Sequence, residues 1–217
     1  MKVRSLFFVF VVLLSACQST KTKFTVLQIN DVYEIAPLEN GKAGGLARVA
    51  HVRKELLREN PNTITVLAGD FLSPSLLGTL SDESGNRLKG KHMIETLNAL
   101  GLDYATFGNH EFDIDSVSLQ NRLNESRFQW ISSNVLRSNQ KPFSKQINGT
   151  EVIFPTYLVR EIVHRKKTLK VGFIGITIPF THPPHVRYID IWEASQKAIE
   201  QLVREGCHVL IALTHLS

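Results

Sequence analysis

The amino-acid sequence predicts an α/β fold organised on a parallel sheet. Two observations support this prediction: short apolar runs of strand length recur between stretches with helical spacing of apolar residues, and the apolar runs lead directly into polar loops. Ligands bind in the crevice outside the carboxyl ends of the strands of an open parallel sheet. The chain has 217 residues, 43% hydrophobic and 21% charged, which is enough apolar material for one globular domain with a core.

The start of the chain predicts an export signal that is separate from this domain. Residues 1–4 are basic, and the apolar run at residues 6–14 is too short to span a bilayer as a stable helix. The segment Leu14-Ser15-Ala16-Cys17 resembles the lipobox of bacterial lipoproteins, in which the cysteine becomes the lipidated first residue. We therefore expect a signal peptide at 1–16, lipidated Cys17, and a polar tether at 17–23. An ordinary signal peptide or an uncleaved membrane anchor is the alternative.

The predicted lipid places the domain on the periplasmic side of a bacterial membrane. The residue after the cysteine is Gln18 and not the Asp that resemblance to inner-membrane-retained lipoproteins would require, so the outer membrane is favoured. With Cys17 acylated, Cys207 has no disulfide partner and is expected to be a small buried hydrophobe. The net charge of +5 falls by two with the leader, and the basic run at 164–167 is expected to be a solvated hairpin turn. Binding to a nucleic-acid polymer is therefore not expected.

The first half of the domain predicts three strands, each followed by a polar loop. The strands are expected at residues 24–29, 63–68 and 102–106, and amphipathic helices at 46–60 and 92–100, the second ended by Gly101. The glycine-rich loop at 41–45 lacks the Gly-Lys-Ser/Thr sequence of a P-loop and is interpreted as a turn.

The second half predicts further strands and two helices. Helices are expected at about 117–124 and 192–204, strands at 128–132 and 208–213, and a long antiparallel hairpin from 151–163 and 168–177. Asn134, at a strand end, is either a contributor to the site or a loop cap. The pair His182 and His185 flanks two prolines, which favours an extended loop over a metal site.

Candidate functional residues stand at four strand ends. They are Asp31, Asp70, Asn109 with His110, and His215. Within the loop at 107–113, Gly108 permits a sharp turn, while Glu111 and Asp113 add carboxylates. Hard oxygens and imidazoles are the ligands of a two-metal centre, in which a shared carboxylate holds two cations about 3.5 to 4 Å apart. The alternative for this loop is a polar turn whose Asn and Asp cap the helix that begins near Asp115.

These motifs resemble four successive blocks of the calcineurin-like metallophosphoesterases. The blocks are Asp31, Gly69-Asp70, Gly108-Asn109-His110-Glu111-Phe112-Asp113 and Leu213-Thr214-His215-Leu216. The third block is particularly similar to the 5'-nucleotidase branch, and the similarity runs from about Phe24 to the last residue. The resemblance implies a four-layered α/β/β/α sandwich of mixed sheets and hydrolysis of nucleoside 5'-monophosphates or related phosphate esters by water activated at two metals.

The resemblance also implies the roles of individual residues. Asp31 would bind the first metal, Asp70 would bridge, and Asn109 and His215 would bind the second, with Asn109 also facing substrate. His110 with Asp113 would be the catalytic pair, since a histidine held by a carboxylate stays protonated and oriented toward a phosphate oxygen. The expected cofactors are two divalent or mixed-valence ions of zinc, manganese, iron, calcium or magnesium.

The sequence departs from the family pattern at two places. The first block of the family reads Asp-x-His, whereas Tyr33 stands at the histidine position here; a tyrosine would bind a cation as phenolate or leave the place to water. The family also has a later Gly-His-x-His block and a following substrate domain, so residues 24–217 are expected to be a partial domain, incomplete at the C-terminus. The alternative function is therefore a non-catalytic or truncated lipoprotein remnant that keeps the fold without a closed metal centre.

Overall fold

The computed structural model of the protein describes residues 22–164 and 167–216. The predicted leader and Cys17 lie outside the described residues, as does the middle of the basic turn. Within the described ranges, helices of the length and apolar character needed to cross a membrane are not found.

Eleven strands and four α-helices make up the described fold. The strands are Thr25–Ile29 (β1), Thr63–Ala68 (β2), Tyr104–Thr106 (β3), Gln129–Trp130 (β4), Val135–Arg137 (β5), Ser144–Ile147 (β6), Thr150–Ile153 (β7), Tyr157–His164 (β8), Lys167–Thr177 (β9), Val186–Tyr188 (β10) and Val209–His215 (β11). The helices are Leu46–Glu59 (α1), Lys91–Leu100 (α2), Ser116–Glu125 (α3) and Ile191–Arg204 (α4), with one-turn 3-10 helices at Leu77–Thr79 and His110–Phe112.

The first sheet is parallel throughout, with the strand order β1-β2-β3-β4. Its register pairs Ile29 with Leu67 and Ala68 with Thr106, so the first three strands end along one edge of the sheet. The predicted parallel sheet is confirmed. Because successive strands of a parallel sheet are joined by crossovers, the loops that follow β1, β2 and β3 all emerge at this edge.

The second sheet has the order β11-β9-β8, with β9 parallel to β11 and antiparallel to β8. The predicted long hairpin is correct for β8 and β9, but its first arm is shorter than expected. Residues 150–153 pair with β6 instead, across a turn in which Asn148 and Gly149 both have positive φ. An Asn-Gly pair is the preferred hairpin turn, and Pro155, which lacks an N–H, separates β7 from β8.

Three apolar clusters show that the two sheets and the helices form four layers. Between the sheets, Val66 and Tyr104 pack with Phe173 and Leu213. On the other face of the parallel sheet, α2 and α3 cover a cluster that includes Trp130, while α4 covers the outer face of the second sheet. The α/β/β/α architecture expected from the family resemblance is confirmed, and the inter-sheet layer brings the end of β11 to the edge where β1, β2 and β3 end.

Candidate metal centre

Three ionisable side chains from three strand ends converge at this edge. Asp31 follows β1, Asp70 follows β2, and His215 is the last residue of β11. One ligand atom from each of these residues lies within 4.8 Å of the others. Asp70 and His215 are nearly buried, with 2% and 4% of their surface exposed, whereas Asp31 is open to solvent. The arrangement can hold a cation that solvent reaches from one side.

The backbone at both aspartates is left-handed, with φ of 53° at Asp31 and 60° at Asp70. Asp and Asn enter this region more readily than other side chains because their short polar groups bond locally. The N–H of Asp31 donates to the carbonyl of Gly69 at 3.1 Å, which ties the loop after β1 to the loop after β2. The sharp turns therefore direct both aspartates to one place.

Two glycines allow the second and third loops to touch. A Cβ on Gly69 would lie 2.5 Å from the Gly108 nitrogen and 2.9 Å from Nδ1 of His215. A Cβ on Gly108 would overlap the carboxylate of Asp70. Gly69 also has a φ of 83°, which side chains rarely adopt. Any larger residue at either position would push the loops apart and displace Asp70.

Glu111 joins these loops and is not part of the ligand cluster. It is fully buried, and its carboxylate accepts hydrogen bonds from the N–H groups of Asp70 (2.8 Å), Phe71 (2.7 Å), Leu72 (3.1 Å) and Gly108. Burial and the charge of Asp70 raise the pKa of Glu111 to about 6, although the N–H donors act in the opposite direction. From the sequence, Glu111 counts only as one of the two carboxylates of the loop. Its structural role is missed, because a carboxylate in a polar loop gives the same local signal whether it faces the site or the backbone.

His215 is oriented by two acceptors. Its Nδ1 lies 2.8 Å from the carbonyl oxygen of Ala68, to which it donates, and its Nε2 lies 3.2 Å from Oδ2 of Asp70. The hydrogen bond to Asp70, reinforced by the Ala68 carbonyl, raises the pKa of His215 to about 9 despite burial. Because the backbone holds Nδ1, the nitrogen that faces the cluster is Nε2.

His110 and Asp113 form the second predicted unit of the site. The Nδ1 of His110 donates to Oδ2 of Asp113 at 2.6 Å, and this bond raises the pKa of His110. The backbone N–H of His110 donates to Oδ1 of Asp70 at 2.9 Å, and its Nε2 lies 4.0 Å from Oδ2 of Asp70. The alternative that this loop caps the following helix is not what the structure shows for Asp113. The cap of α3 is Asp115, whose carboxylate accepts hydrogen bonds from the N–H groups of Val117 and Ser118. Asp113 therefore remains available to hold the imidazole.

Tyr33 reaches both aspartates. Its hydroxyl lies 2.8 Å from Oδ2 of Asp70 and 3.3 Å from Oδ1 of Asp31. Burial, together with the hydrogen bond to Asp70 and the two negative charges, raises the pKa of Tyr33 above its usual value. The ring also packs edge-on against His110, with 6.4 Å between ring centroids. The hydroxyl consequently keeps its proton, and the phenolate considered from the sequence is disfavoured in the absence of a cation.

The Asp70 carboxylate is held in a fixed orientation by these contacts. Burial alone would raise the pKa of Asp70, but hydrogen bonds from His215, the His110 backbone and Tyr33 lower it. Oδ1 is held by the backbone, so Oδ2 is the oxygen that faces His215 and Tyr33. Asn109 is 7% exposed and lies in the same loop, between Gly108 and His110, both of which contact Asp70.

The other residues considered from the sequence lie elsewhere. Asn134 exchanges hydrogen bonds with the backbone of Thr177, so it is a structural link and not a ligand. His182 packs on Tyr188, and His185 lines a separate cavity of about 240 Å³, as the extended-loop interpretation expects. Thr177, which sequence reasoning missed, donates its hydroxyl to the carbonyl of Phe107 at 2.6 Å and connects the second sheet to the central loop. A lone threonine at a strand end offers no sequence signal for such a bond.

The chain is similar to known phosphoesterases. The calcineurin-like phosphoesterase family model matches residues 24–217, in agreement with the resemblance of the four motif blocks. A probable 5'-nucleotidase of Treponema pallidum is 28% identical over 210 residues, covering 89% of this chain and 32% of that protein. A 2',3'-cyclic-nucleotide 2'-phosphodiesterase/3'-nucleotidase of Haemophilus influenzae is 25% identical over 198 residues, covering 85% and 28%.

A solved structure gives the same result for the fold. The crystal structure of a 5'-nucleotidase precursor from Thermus thermophilus superposes with a TM-score of 0.70 at 26% identity, covering 89% of this chain and 37% of that chain. The present chain therefore spans about a third of the length of these proteins.

Proposed function

The chain belongs to the calcineurin-like phosphoesterase family, and we propose that it is a metal-dependent phosphomonoesterase acting on nucleoside 5'-monophosphates or related small phosphate esters. The observation that carries the proposal is the convergence of Asp31, Asp70 and His215 beside the His110–Asp113 pair. Relatives named as nucleotidases and as a nucleotide phosphodiesterase support a phosphate ester of nucleotide type as the substrate class.

The donor chemistry of the cluster fits two cations. Asp31 and Asp70 would supply oxygens to one, while Asp70, Asn109 and His215 would supply oxygens and an imidazole to the other. Carboxylate and amide oxygens suit magnesium, manganese and calcium, and imidazole suits zinc and iron. Two such ions, when bound, polarise a phosphate and activate an attacking water. The close approach of Gly69 and Gly108 holds the Asp70 carboxylate against the central loop.

His215 is arranged to present a lone pair at a defined atom. Its Nδ1–H is committed to the carbonyl of Ala68, so the neutral imidazole carries its lone pair on Nε2. Before a cation binds, the raised pKa of His215 keeps a proton on Nε2 that points at Asp70. Binding of a metal at this nitrogen therefore requires release of that proton, and metal affinity is expected to increase with pH.

His110 is arranged to stabilise developing negative charge. With Nδ1–H held by Asp113, the second N–H of the imidazolium lies at Nε2, 4.0 Å from Oδ2 of Asp70 and on the side of the cluster. This atom can donate to a phosphate oxygen or to the oxygen of the leaving group. The raised pKa of His110 favours the protonated form that such donation needs.

The test measures phosphate release and metal content on the same samples. Nucleoside 5'- and 3'-monophosphates and 2',3'-cyclic nucleotides are supplied with manganese, zinc, calcium or magnesium. His110→Ala should lower turnover by about 10²-fold or more with metal content nearly intact, because its role is charge stabilisation. Asp70→Ala should lose metal, and His51→Ala, an exposed histidine on α1, should change neither. If the wild-type protein releases no phosphate with any of the four cations, the proposed activity is refuted. Equal metal loss in both site variants would refute the assigned roles.

Tyr33 is the observation that favours the second candidate, a non-catalytic lipoprotein remnant. Its hydroxyl lies within hydrogen-bond distance of both Asp31 and Asp70. It stands where the family resemblance implies an imidazole. A remnant would bind no cation at Asp31 and would hydrolyse no ester. The phosphomonoesterase would bind a cation there and hydrolyse phosphate esters. Metal stoichiometry and phosphate release, measured together on the wild-type protein, separate the two candidates.

We also propose that the protein is held at a membrane through lipid on Cys17, with the domain on the periplasmic side. The support is the sequence Leu14-Ser15-Ala16-Cys17 after a basic and then apolar start. The polar tether at 17–23 would leave the domain free to meet soluble nucleotides.

A further inference from the structure

A cavity of about 380 Å³ borders the candidate metal centre. Asp31 and Tyr33, which both approach Asp70 in that centre, form part of its wall. The rest of the wall comes from the loop after β1, the glycine-rich loop and the first turn of α1. Cavities that bind small organic molecules usually have volumes of roughly 300–1,000 Å³, so this one is large enough for such a ligand. A ligand bound here would contact the metal centre directly.

Most of the remaining wall is apolar. It is formed by Val32, Ala36, Leu38, Leu46 and Val49, together with the two glycines at positions 44 and 45. The Leu38 side chain is 55% exposed, so an apolar ligand would cover surface that water now contacts. Asn30 and Glu34 add a small number of polar groups. An apolar wall with a few polar groups is the usual composition of a site for an organic ligand.

The loop that forms the outer wall is held in place by hydrogen bonds. The Arg48 guanidinium donates to the carbonyl of Gly44 at 2.9 Å and to that of Gly41. The N–H of Leu46 donates to the carbonyl of Ile35 at 3.0 Å, which ties the start of α1 to the loop after β1. The cavity is therefore formed before a ligand binds, and binding requires little ordering of the chain.

The charges around the cavity restrict the kind of ligand. Asp31 and Glu34 contribute carboxylates, and among the described residues that line the cavity none is a lysine or an arginine. Like charges repel, so an anionic group such as a further phosphate is disfavoured there. The cavity beside Asp113 is different, because Arg87 and Lys89 line it. The cavity beside Asp31 thus fits a neutral organic group.

We infer that this cavity binds the neutral organic group of the substrate, of which a nucleobase is the expected type, while the phosphate lies at the metal centre. The inference rests on the proposed function, since it needs a phosphate ester at that centre. Tyr33 lines the cavity and packs edge-on against His110, with 6.4 Å between ring centroids. The cavity is therefore next to the histidine that is arranged to donate to the phosphate or the leaving group. A flat ring buries much apolar surface against such a wall.

The first test compares two esters that differ only in the base. Adenosine 5'-monophosphate and ribose 5-phosphate present the same primary phosphate ester, and both are supplied with the cation that supports phosphate release. Wild-type protein should have a kcat/KM at least about tenfold higher for the nucleotide, because even one missing methylene costs about 10- to 200-fold in an apolar pocket. Equal kcat/KM values for the two esters would overturn the inference and leave the proposed function standing.

Two variants locate this preference in the cavity. Ala36→Trp places a large ring at an exposed lining position and should abolish the preference for the nucleotide while ribose 5-phosphate is hydrolysed as before. Leu38→Gln removes apolar wall and should reduce the preference. Val163→Trp and Val163→Gln are the controls: Val163 is 66% exposed and pairs with Thr168 near the start of β9, whereas the end of β9 lies beside His215. Both controls should behave as wild type.

The second test measures binding without catalysis. Adenosine, which has no phosphate, is titrated into the protein in the presence of a chelator and followed by calorimetry. Wild-type protein should bind it, and both cavity variants should bind it more weakly than the Val163 controls do. Thermal unfolding verifies that each variant folds, and Leu38→Gln provides the test if Ala36→Trp does not fold.

The two tests separate this inference from the proposed function. No detectable adenosine binding by wild-type protein, or binding that neither cavity variant weakens, would overturn the inference. Adenosine binding that both cavity variants weaken, in a protein that hydrolyses neither ester, would overturn the proposed function and support the cavity as a nucleoside site.

Discussion

Replacement of Glu111 by glutamine should destabilise the protein strongly, although the two side chains have the same shape. Oε1 accepts from the N–H groups of Phe71 and Leu72, and Oε2 accepts from those of Asp70 and Gly108. Glutamine keeps one acceptor oxygen and puts an NH₂ group in place of the other. Two buried backbone N–H groups then face the NH₂ group of the glutamine and lose their acceptor.

The size of the effect follows from the number of lost acceptors. A buried donor left without a partner costs about 1–3 kcal/mol, so two of them cost roughly 2–6 kcal/mol. That is a large part of the ~5–15 kcal/mol by which native proteins are usually stable. For a domain of this size, each kcal/mol corresponds to about 2–4 °C in melting temperature, which gives a fall of roughly 4 to 24 °C.

The assay is thermal and urea unfolding with a chelator present, so that differences in metal binding do not contribute. Glu59→Gln, an exposed substitution of the same kind at the end of α1, is the control and should stay within about 0.5 kcal/mol of wild type. Metal affinity should fall as well in Glu111→Gln, because the N–H of Asp70 itself is one of the groups displaced. A melting temperature within about 2 °C of wild type would show that these four hydrogen bonds do not hold the loops together.

The remaining predictions concern pH and the anchor. The hydrogen bond to Asp70 raises the pKa of His215 from 6.5 to about 9. Between these two values the folded, metal-free protein keeps a proton that the unfolded chain has released. The free energy of unfolding should therefore be highest below pH 6.5 and fall as the pH rises to about 9. Chemical unfolding across this pH range should show the fall in wild type and a flatter profile in His215→Gln, and equal slopes would exclude His215 as the cause. Cys17→Ser should release the protein from membranes or leave it unprocessed, because stable attachment requires the acyl chains; membrane fractionation with unchanged recovery and processing would argue against the anchor.

Residues that directly follow an apolar run could be placed from the sequence. Asp70 comes immediately after Thr63–Ala68 and Gly69, and His110 comes shortly after Tyr104–Thr106, so local pattern alone puts both at the carboxyl edge of a parallel sheet. The same reasoning could not separate the two carboxylates of one short loop. Glu111 is turned inward to four N–H groups and Asp113 outward to an imidazole, and the difference depends on contacts with a loop 40 residues earlier in the chain.

His215 illustrates a different limit, because its partner is remote in both sequence and topology. The acceptor of its Nδ1, Ala68, precedes it by 147 residues and belongs to the other sheet. A strand-end pattern shows that His215 closes a strand, but not which sheet that strand joins. The family resemblance implied a place for His215 in the site but not its sheet. The structure shows the sheet and the physical reason: Leu213, two residues earlier, is 1% exposed in the cluster between the sheets. Alternate residues of a strand share a face, so burying Leu213 against the parallel sheet also directs His215 toward the end of β2. The packing between the two sheets therefore brings His215 to the candidate metal centre, and a core substitution such as Leu213→Ala is expected to disturb the His215 position before it disturbs Asp31.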